Sequence, residues 1–332
     1  MNLIKHCVLT LAVATLTGCG QTRKATIDTA VATPVGPAFM ADSAYLFCER
    51  QCAFGPRTMN STAHDQCGEW IQQTFASYGM SVTTQQTTLR GYDGTALRCT
   101  NIMASYKPEL NNRVLLCAHW DSRPWADNDP DEANHHTPVL AANDGASGVA
   151  VMLEVARLLS QTDSLALGVD FVCFDAEDWG TPQWSDLADD ADSWALGAQH
   201  WAANVDAVYT AANKPRYGIL LDMVGGRGAH FYQELGSLQY ARDVVDKVWS
   251  AADVVGFASF FPKSKGGMIT DDHVPVNQVA GIPCIDIIPF HPDCAASSFG
   301  PTWHTVNDDM DHIDRHTLQA VGQTLIQVLF SE

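Results

Sequence analysis

Four short runs, 114–118, 167–174, 218–221 and 284–288, are apolar at almost every position, and they constrain the fold more than any other feature. A strand that alternates apolar and polar residues leaves one face wet, whereas one that is apolar throughout is covered on both faces. Between these runs lie amphipathic stretches. In 147–159, Val149, Leu153, Ala156 and Leu159 share a face; 194–204, 236–252 and 318–330 follow. Buried strands alternating with helices predict an α/β fold, a three-layer α-β-α domain around a central, mostly parallel mixed sheet. Nearer the start, 61–78 reads as a helix opened by Ser61 and stopped by Gly79. The alternating stretch 82–89 reads as a strand, with 99–105 returning beside it as a hairpin partner.

Open α/β sheets bind at the carboxyl ends of their strands, and here those ends are rich in metal-ligating residues. His119-Trp120-Asp121 follows the first buried run, and a histidine with a carboxylate close by makes a ligand with its orienting partner. Asn143-Asp144-Gly145 precedes a helix, with Gly145 and Gly148 permitting a tight approach that turns Asp144 toward the site. Asp175-Ala176-Glu177-Asp178 closes the second run. Adjacent carboxylates at a strand end point in different directions, so one can bind a metal while its neighbour serves as a base. Asp222 closes the third run, Asp271-Asp272-His273 adds a further cluster, and Trp303-His304 supplies a nitrogen ligand. Carboxylates gathered with imidazole suit one zinc ion, or two.

The first residues read as an address. Lys5 and the apolar stretch 7–16 end in Leu16-Thr17-Gly18-Cys19, which resembles a lipobox. Residues 1–18 are expected to be a lipoprotein signal peptide. Cys19 then carries the lipid, 19–38 forms a flexible tether rich in Thr, Ala, Pro and Gly, and 39–332 is a single catalytic domain. Gly20 rather than Asp after Cys19 favours the outer membrane by resemblance to known lipoproteins, with the domain expected in the periplasm or on the cell surface. Two insertions without helix or strand period are expected at 124–138 and 180–193. The chain carries 38 acidic against 19 basic residues, net charge −19, which argues against a nucleic-acid partner. It has no dinucleotide or nucleotide-triphosphate glycine motif, so no nucleotide is expected. Disulfides are permitted in an exporting compartment, and spacing leaves open whether Cys48 pairs with Cys52 or Cys284 with Cys294. Cys117 and Cys173, inside apolar runs, read as buried inert thiols. The sequence does not fix the oligomeric state; a monomer is expected.

Taken in order, His119-x-Asp121, Asn143-Asp144-Gly145, Asp175-Ala176-Glu177-Asp178, Asp222, Asp271-Asp272-His273 and Trp303-His304-Thr305 resemble the zinc-dependent glutaminyl cyclases, relatives of the zinc aminopeptidases. The resemblance covers the chain from about residue 40 onward and implies one zinc held by Asp144, Asp178 and His304. It implies Glu177 as acid/base, and Asp222 and Asp271 as a hydrogen-bonded pair beside it. Trp303 is implied as a pocket wall, and Trp184 as a further pocket tryptophan. Animal members carry Glu where this chain has Asp178, so the likeness is to the bacterial branch. The implied substrate is a peptide or exported protein with N-terminal glutamine, converted to pyroglutamate with loss of ammonia. The rival is an aminopeptidase. His119, Asp144, Asp178, Asp222 and His304 also match five ligands of a two-zinc site, in which Glu177 activates water. His119 and Asp121 are thus either supports for the single zinc or part of a second metal site. A non-catalytic peptide-binding lipoprotein is the third reading.

Overall fold

A computed structural model of the chain describes residues 33–186 and 191–332. The expected signal peptide, Cys19 and most of the tether lie outside the described residues, as do 187–190 of the second expected insertion. The described residues form six strands, β1 (Ser81–Arg90), β2 (Ala96–Tyr106), β3 (Arg113–His119), β4 (Gly168–Phe174), β5 (Gly218–Leu221) and β6 (Cys284–Ile287). The helices are α1 (Ala41–Cys52), α2 (Thr62–Ser77), α3 (Ala146–Leu159), α4 (Leu196–Ala203), α5 (Leu235–Tyr240), α6 (Arg242–Val254), α7 (His273–Gln278) and α8 (Arg315–Phe330). The sheet order is β1-β2-β4-β3-β5-β6. β4, β3, β5 and β6 run parallel, while the β1–β2 hairpin is antiparallel and joins antiparallel to β4.

The expected α/β sandwich is present, and the strand alternation shows how it is filled. Val114, Leu116 and Ala118 of β3 face a large core closed by α1, α2, α3, α6 and α8. Leu115 and Cys117 point the other way, onto Ala198, Trp201 and Ala202 of α4 and Val276 of α7. Successive side chains of a strand take opposite faces, so a strand covered on both sides must be apolar throughout.

Five helices differ from the sequence reading. α3 is buried on almost every side rather than along one stripe, because α1 and α8 cover its outer surface. The 236–252 stretch is broken into α5 and α6 at Ala241, whose backbone leaves the helical region (φ −147°, ψ 51°). α1 and α7 went unread. In α7, Pro275 and the Asp271-Asp272-His273 cluster mask a helix of six residues. Residues 33–38, assigned to the tether, lie along α8, where Val35 N donates to Gln327 Oε1 (2.8 Å) and Gln323 Nε2 to Pro37 O (3.3 Å). The described cysteines are all free, including Cys48, Cys52, Cys284 and Cys294. No described helix is long and apolar enough to cross a membrane.

Gly148 permits the contact on which the site depends. A Cβ there would stand 2.2 Å from the carbonyl oxygen of Leu221, at the end of β5. Alanine would gain about 1 kcal/mol of helix propensity. Crowding backbone that cannot move aside costs typically 1–3 kcal/mol or more, so the clash wins. Gly148→Ala is expected to lower the denaturation midpoint; an unchanged or raised midpoint would show that α3 and β5 separate freely.

Candidate metal centre

The strands place four acidic segments at one edge of the sheet. β3 delivers His119 and Asp121, β4 delivers Asp175 to Asp178, and β5 delivers Asp222; the turn into α3 brings Asp144. Asp121 sets the turn after β4, its Oδ1 accepting from Glu177 N (3.1 Å) and its Oδ2 from Asp178 N (3.2 Å). Ala176 in the left-handed region (φ 54°) sharpens that turn. Asp175 points away from the site and accepts from Thr100 N (2.6 Å), with His64 Nε2 2.8 Å from its other oxygen. Asp308, which the sequence did not single out, accepts from Asn143 N (2.7 Å) and Asp144 N (3.0 Å) and so fixes the backbone that presents Asp144.

Asp144, Asp178 and His304 converge, each offering one atom within 4.8 Å of the others, and all three are buried. His304 Nε2 lies 3.4 Å from Asp178 Oδ1 and 3.7 Å from Asp144 Oδ2. His119, Asp144 and Asp222 form a second such group sharing Asp144. There His119 Nε2 is 2.9 Å from Asp144 Oδ1 and 3.3 Å from Asp222 Oδ1. Asp178 Oδ2 is buried without a hydrogen-bond partner. An orphaned carboxylate oxygen is costly in a dry interior, and two carboxylates with an imidazole nitrogen facing one point suit zinc. The residues therefore fit the ion.

Next to this group is a cavity of about 220 Å³. Asp144, Glu177, Asp222 and Asp271 supply its carboxylates, and Trp194, Trp303 and Phe299 its aromatic walls. Trp303 stacks on His304 with ring centroids 3.7 Å apart, and Trp194 lies parallel to the same imidazole at 6.0 Å. Trp184 is a correction to the sequence reading, since it does not line this cavity. It packs against Trp125, His135 and His136 and is 40% exposed, so Trp194 is the wall instead. The 180–193 stretch has no periodicity from which that register could be read. A larger cleft of about 560 Å³, between α2 and the β1–β2 hairpin, holds none of these residues.

Burial governs the charges. It raises Glu177 well above an ordinary carboxyl; His119 opposes this, while Asp178 and Asp271 add to it. Burial with the charge of Asp144 pushes Asp222 up to about 6, and burial with that of Asp222 pushes Asp271 up to about 7. Burial also works against the ionisation of Asp144, but the hydrogen bond and charge of His119 prevail and hold it below the usual value. These are the opposed proton affinities expected of an acid/base site.

A family model for peptidase family M28 matches residues 101–329, which takes in every site residue named above. The chain belongs to peptidase family M28. This M28 chain is similar to a solved glutaminyl cyclase of Bacteroides thetaiotaomicron bound to N-acetylhistamine. The two are 48% identical with a TM-score of 0.86, over 90% of this chain and 100% of that one. Among curated relatives, it is 27% identical to aminopeptidase YwaD of Bacillus subtilis strain 168 over 238 residues, 69% of this chain and 44% of that protein. It is 24% identical to the glutaminyl-peptide cyclotransferase of Bos taurus over 258 residues, 68% of this chain and 64% of that protein. The chain thus spans less than two thirds of the length of these curated relatives. Its M28 membership accounts for zinc as the metal that the carboxylates and imidazole fit.

Proposed function

We propose that the protein is a zinc-dependent glutaminyl-peptide cyclotransferase, converting N-terminal glutamine of peptides or exported proteins to pyroglutamate and ammonia. The observation that carries this reading is the 48% identity to the Bacteroides glutaminyl cyclase across that enzyme's whole solved chain. The cavity supports it. Its aromatic walls suit the two methylenes of a glutamine side chain, and its carboxylates suit the α-amine.

Asp144, Asp178 and His304 would hold the zinc. When bound there, zinc supplies a Lewis acid for the side-chain amide carbonyl. The neutral α-amine nitrogen bonds to the side-chain amide carbon, and Glu177 takes the proton that this nitrogen sheds as the bond forms. The carbon–NH2 bond breaks, and Glu177 returns that proton to the departing group, which leaves as ammonia. Both reacting groups belong to one residue, so the five-membered ring closes without a second molecule to orient. Asp222 and Asp271 hold the amine and share the proton load as a coupled pair. A glutaminyl peptide and its N-acetylated form separate this chemistry from plain amide hydrolysis. Ammonia is expected only from the free amine, and release from both would contradict cyclisation.

Glu177 must be ionised to accept the proton, and burial raises it well above an ordinary carboxyl. Activity is accordingly expected to rise with pH and to fall as pH drops through the raised range of this carboxyl. A profile of kcat, which reports the groups of the bound complex, checks this. An acid limb near the ordinary glutamate value of about 4.3 would show that burial does not govern the site.

The second reading is a two-zinc aminopeptidase, favoured by the two ligand groups that share Asp144. Zinc titration of stripped protein distinguishes them, with activity saturating at one equivalent for the cyclase and two for the peptidase. We further propose that 1–18 directs export and that lipid on Cys19 anchors a monomeric enzyme to the outer membrane, facing the periplasm. Leu16-Thr17-Gly18-Cys19 supports this. Incorporation of a labelled fatty acid that Cys19→Ser abolishes would bear it out; equal labelling of both forms would not.

A further inference from the structure

We propose that Arg123 and Asp127 are positioning residues of the metal centre, a buried ion pair that aims two of its ligands, Asp178 and His304, and ties them to the pocket wall. The inference rests on the metal-centre reading above. Neither residue matched the ordered motifs, and Asp127 lies in a stretch whose sequence reads as an insertion. Yet Arg123 is 1% and Asp127 3% exposed.

The guanidinium is spent in three directions. Nε and Nη2 donate to Asp127 Oδ1 (2.8 Å) and Oδ2 (2.6 Å), a bidentate pair. Nη1 donates to Asp178 twice, to its carbonyl and to its Oδ1 (both 3.2 Å), and to Gly180 O (3.4 Å). The flat face lies over Trp194, 4.6 Å from the ring centroid. Lysine, a point charge on a flexible stem, cannot reproduce such a fork.

Asp127 completes the link. Its Oδ1 is 3.3 Å from His304 Nδ1, within ion-pair reach though without hydrogen-bond geometry, while Nε2 of the same ring faces Asp144 and Asp178. A carboxylate beside one ring nitrogen favours the proton there and leaves the other nitrogen free to ligate. Asp127 Oδ2 also accepts from Gln183 N (3.0 Å), and the next residue, Asn128, donates its backbone N–H to His304 O (3.0 Å). That bond helps hold His304 in the left-handed conformation (φ 53°) that aims its ring inward. Two ligands, the turn after β4 and one tryptophan wall therefore meet on a single ion pair.

A merely structural pair would keep the 123–129 segment folded without touching metal affinity. Zinc affinity of the purified protein, measured by competition with a chromophoric chelator, separates the two. Asp127→Asn and Arg123→Lys are expected to weaken zinc binding by roughly 10- to 100-fold, with kcat recovering toward the parent at saturating zinc. Asp127→Glu, which restores the charge, is expected to recover part of the affinity, and serves if the Asn variant does not fold. Asp129→Asn is the control. Asp129 Oδ2 braces the same segment by accepting from Val306 N (3.0 Å), and the residue meets neither ligand; parent-like affinity is expected. Parent-like affinity in Asp127→Asn and Arg123→Lys, or equal weakening in Asp129→Asn, would overturn the proposal. A parent protein that binds no zinc would instead overturn the metal centre itself, and this proposal with it.

Discussion

Glu177→Gln is expected to lower kcat on a glutaminyl peptide by about 10²- to 10⁴-fold while leaving the zinc content at that of the parent. The two halves of this prediction come from different observations. Glu177 lines the cavity beside Asp222 and Asp271 but belongs to no group of atoms converging on the metal. Its neighbour Asp178 does belong to one, and the two side chains diverge at the end of β4. Glutamine keeps the shape and removes the proton acceptor. It also removes a carboxyl whose ionisation burial already disfavours, so the fold is expected to be no less stable. Ammonia release and elemental analysis on one sample read both halves. A variant within about tenfold of the parent would leave too little effect for a general base and would move the proton transfer to another group.

Removal of the metal is the second large effect. Stripping the parent with a chelator, or replacing His304 by Ala, is expected to abolish activity. Zinc is expected to restore the stripped parent but not the variant. Without the ion, Asp144 and Asp178 share a buried gap with His304, and their nearest cationic partners lie to either side, His119 2.9 Å from Asp144 and Arg123 3.2 Å from Asp178. With it, their charge is matched and the orphaned Asp178 Oδ2 gains a partner. A ligand that binds only the folded state stabilises it by about 4 kcal/mol at a thousandfold excess over Kd, so the loaded protein should also melt at higher temperature. Full activity after exhaustive stripping would exclude a catalytic metal.

Much of this was legible before any coordinates. The buried strands announced themselves because a two-sided sheet admits no polar alternation, and α2 was bracketed by the Ser61 cap and by Gly79, whose φ is 75°. Boundaries were less legible. α8 begins at Arg315, not 318, because the Asp314 side chain caps it (Oδ1 to His316 N, 3.0 Å) before the apolar pattern starts. The acidic residues at strand ends could be listed, but not sorted. Asp175 turns to His64, whereas Glu177 and Asp178 turn to the site, and only the left-handed turn at Ala176 decides which goes where. Arg123, Asp127 and Asp308 act across separations of 55 to 177 residues or through segments without period. No local pattern marks such contacts. The one available signal was a lone Arg among acids, directly after His119-Trp120-Asp121-Ser122.

Product analysis tests the central claim most directly. Zinc-loaded protein is incubated with Gln-Phe-Ala and, separately, with Leu-Phe-Ala, and the products are weighed by mass spectrometry. Cyclisation predicts that the first peptide loses one ammonia at full length while the second is untouched. Free leucine from the second peptide, or free glutamine from the first, would contradict it and place the chain among the aminopeptidases of its family.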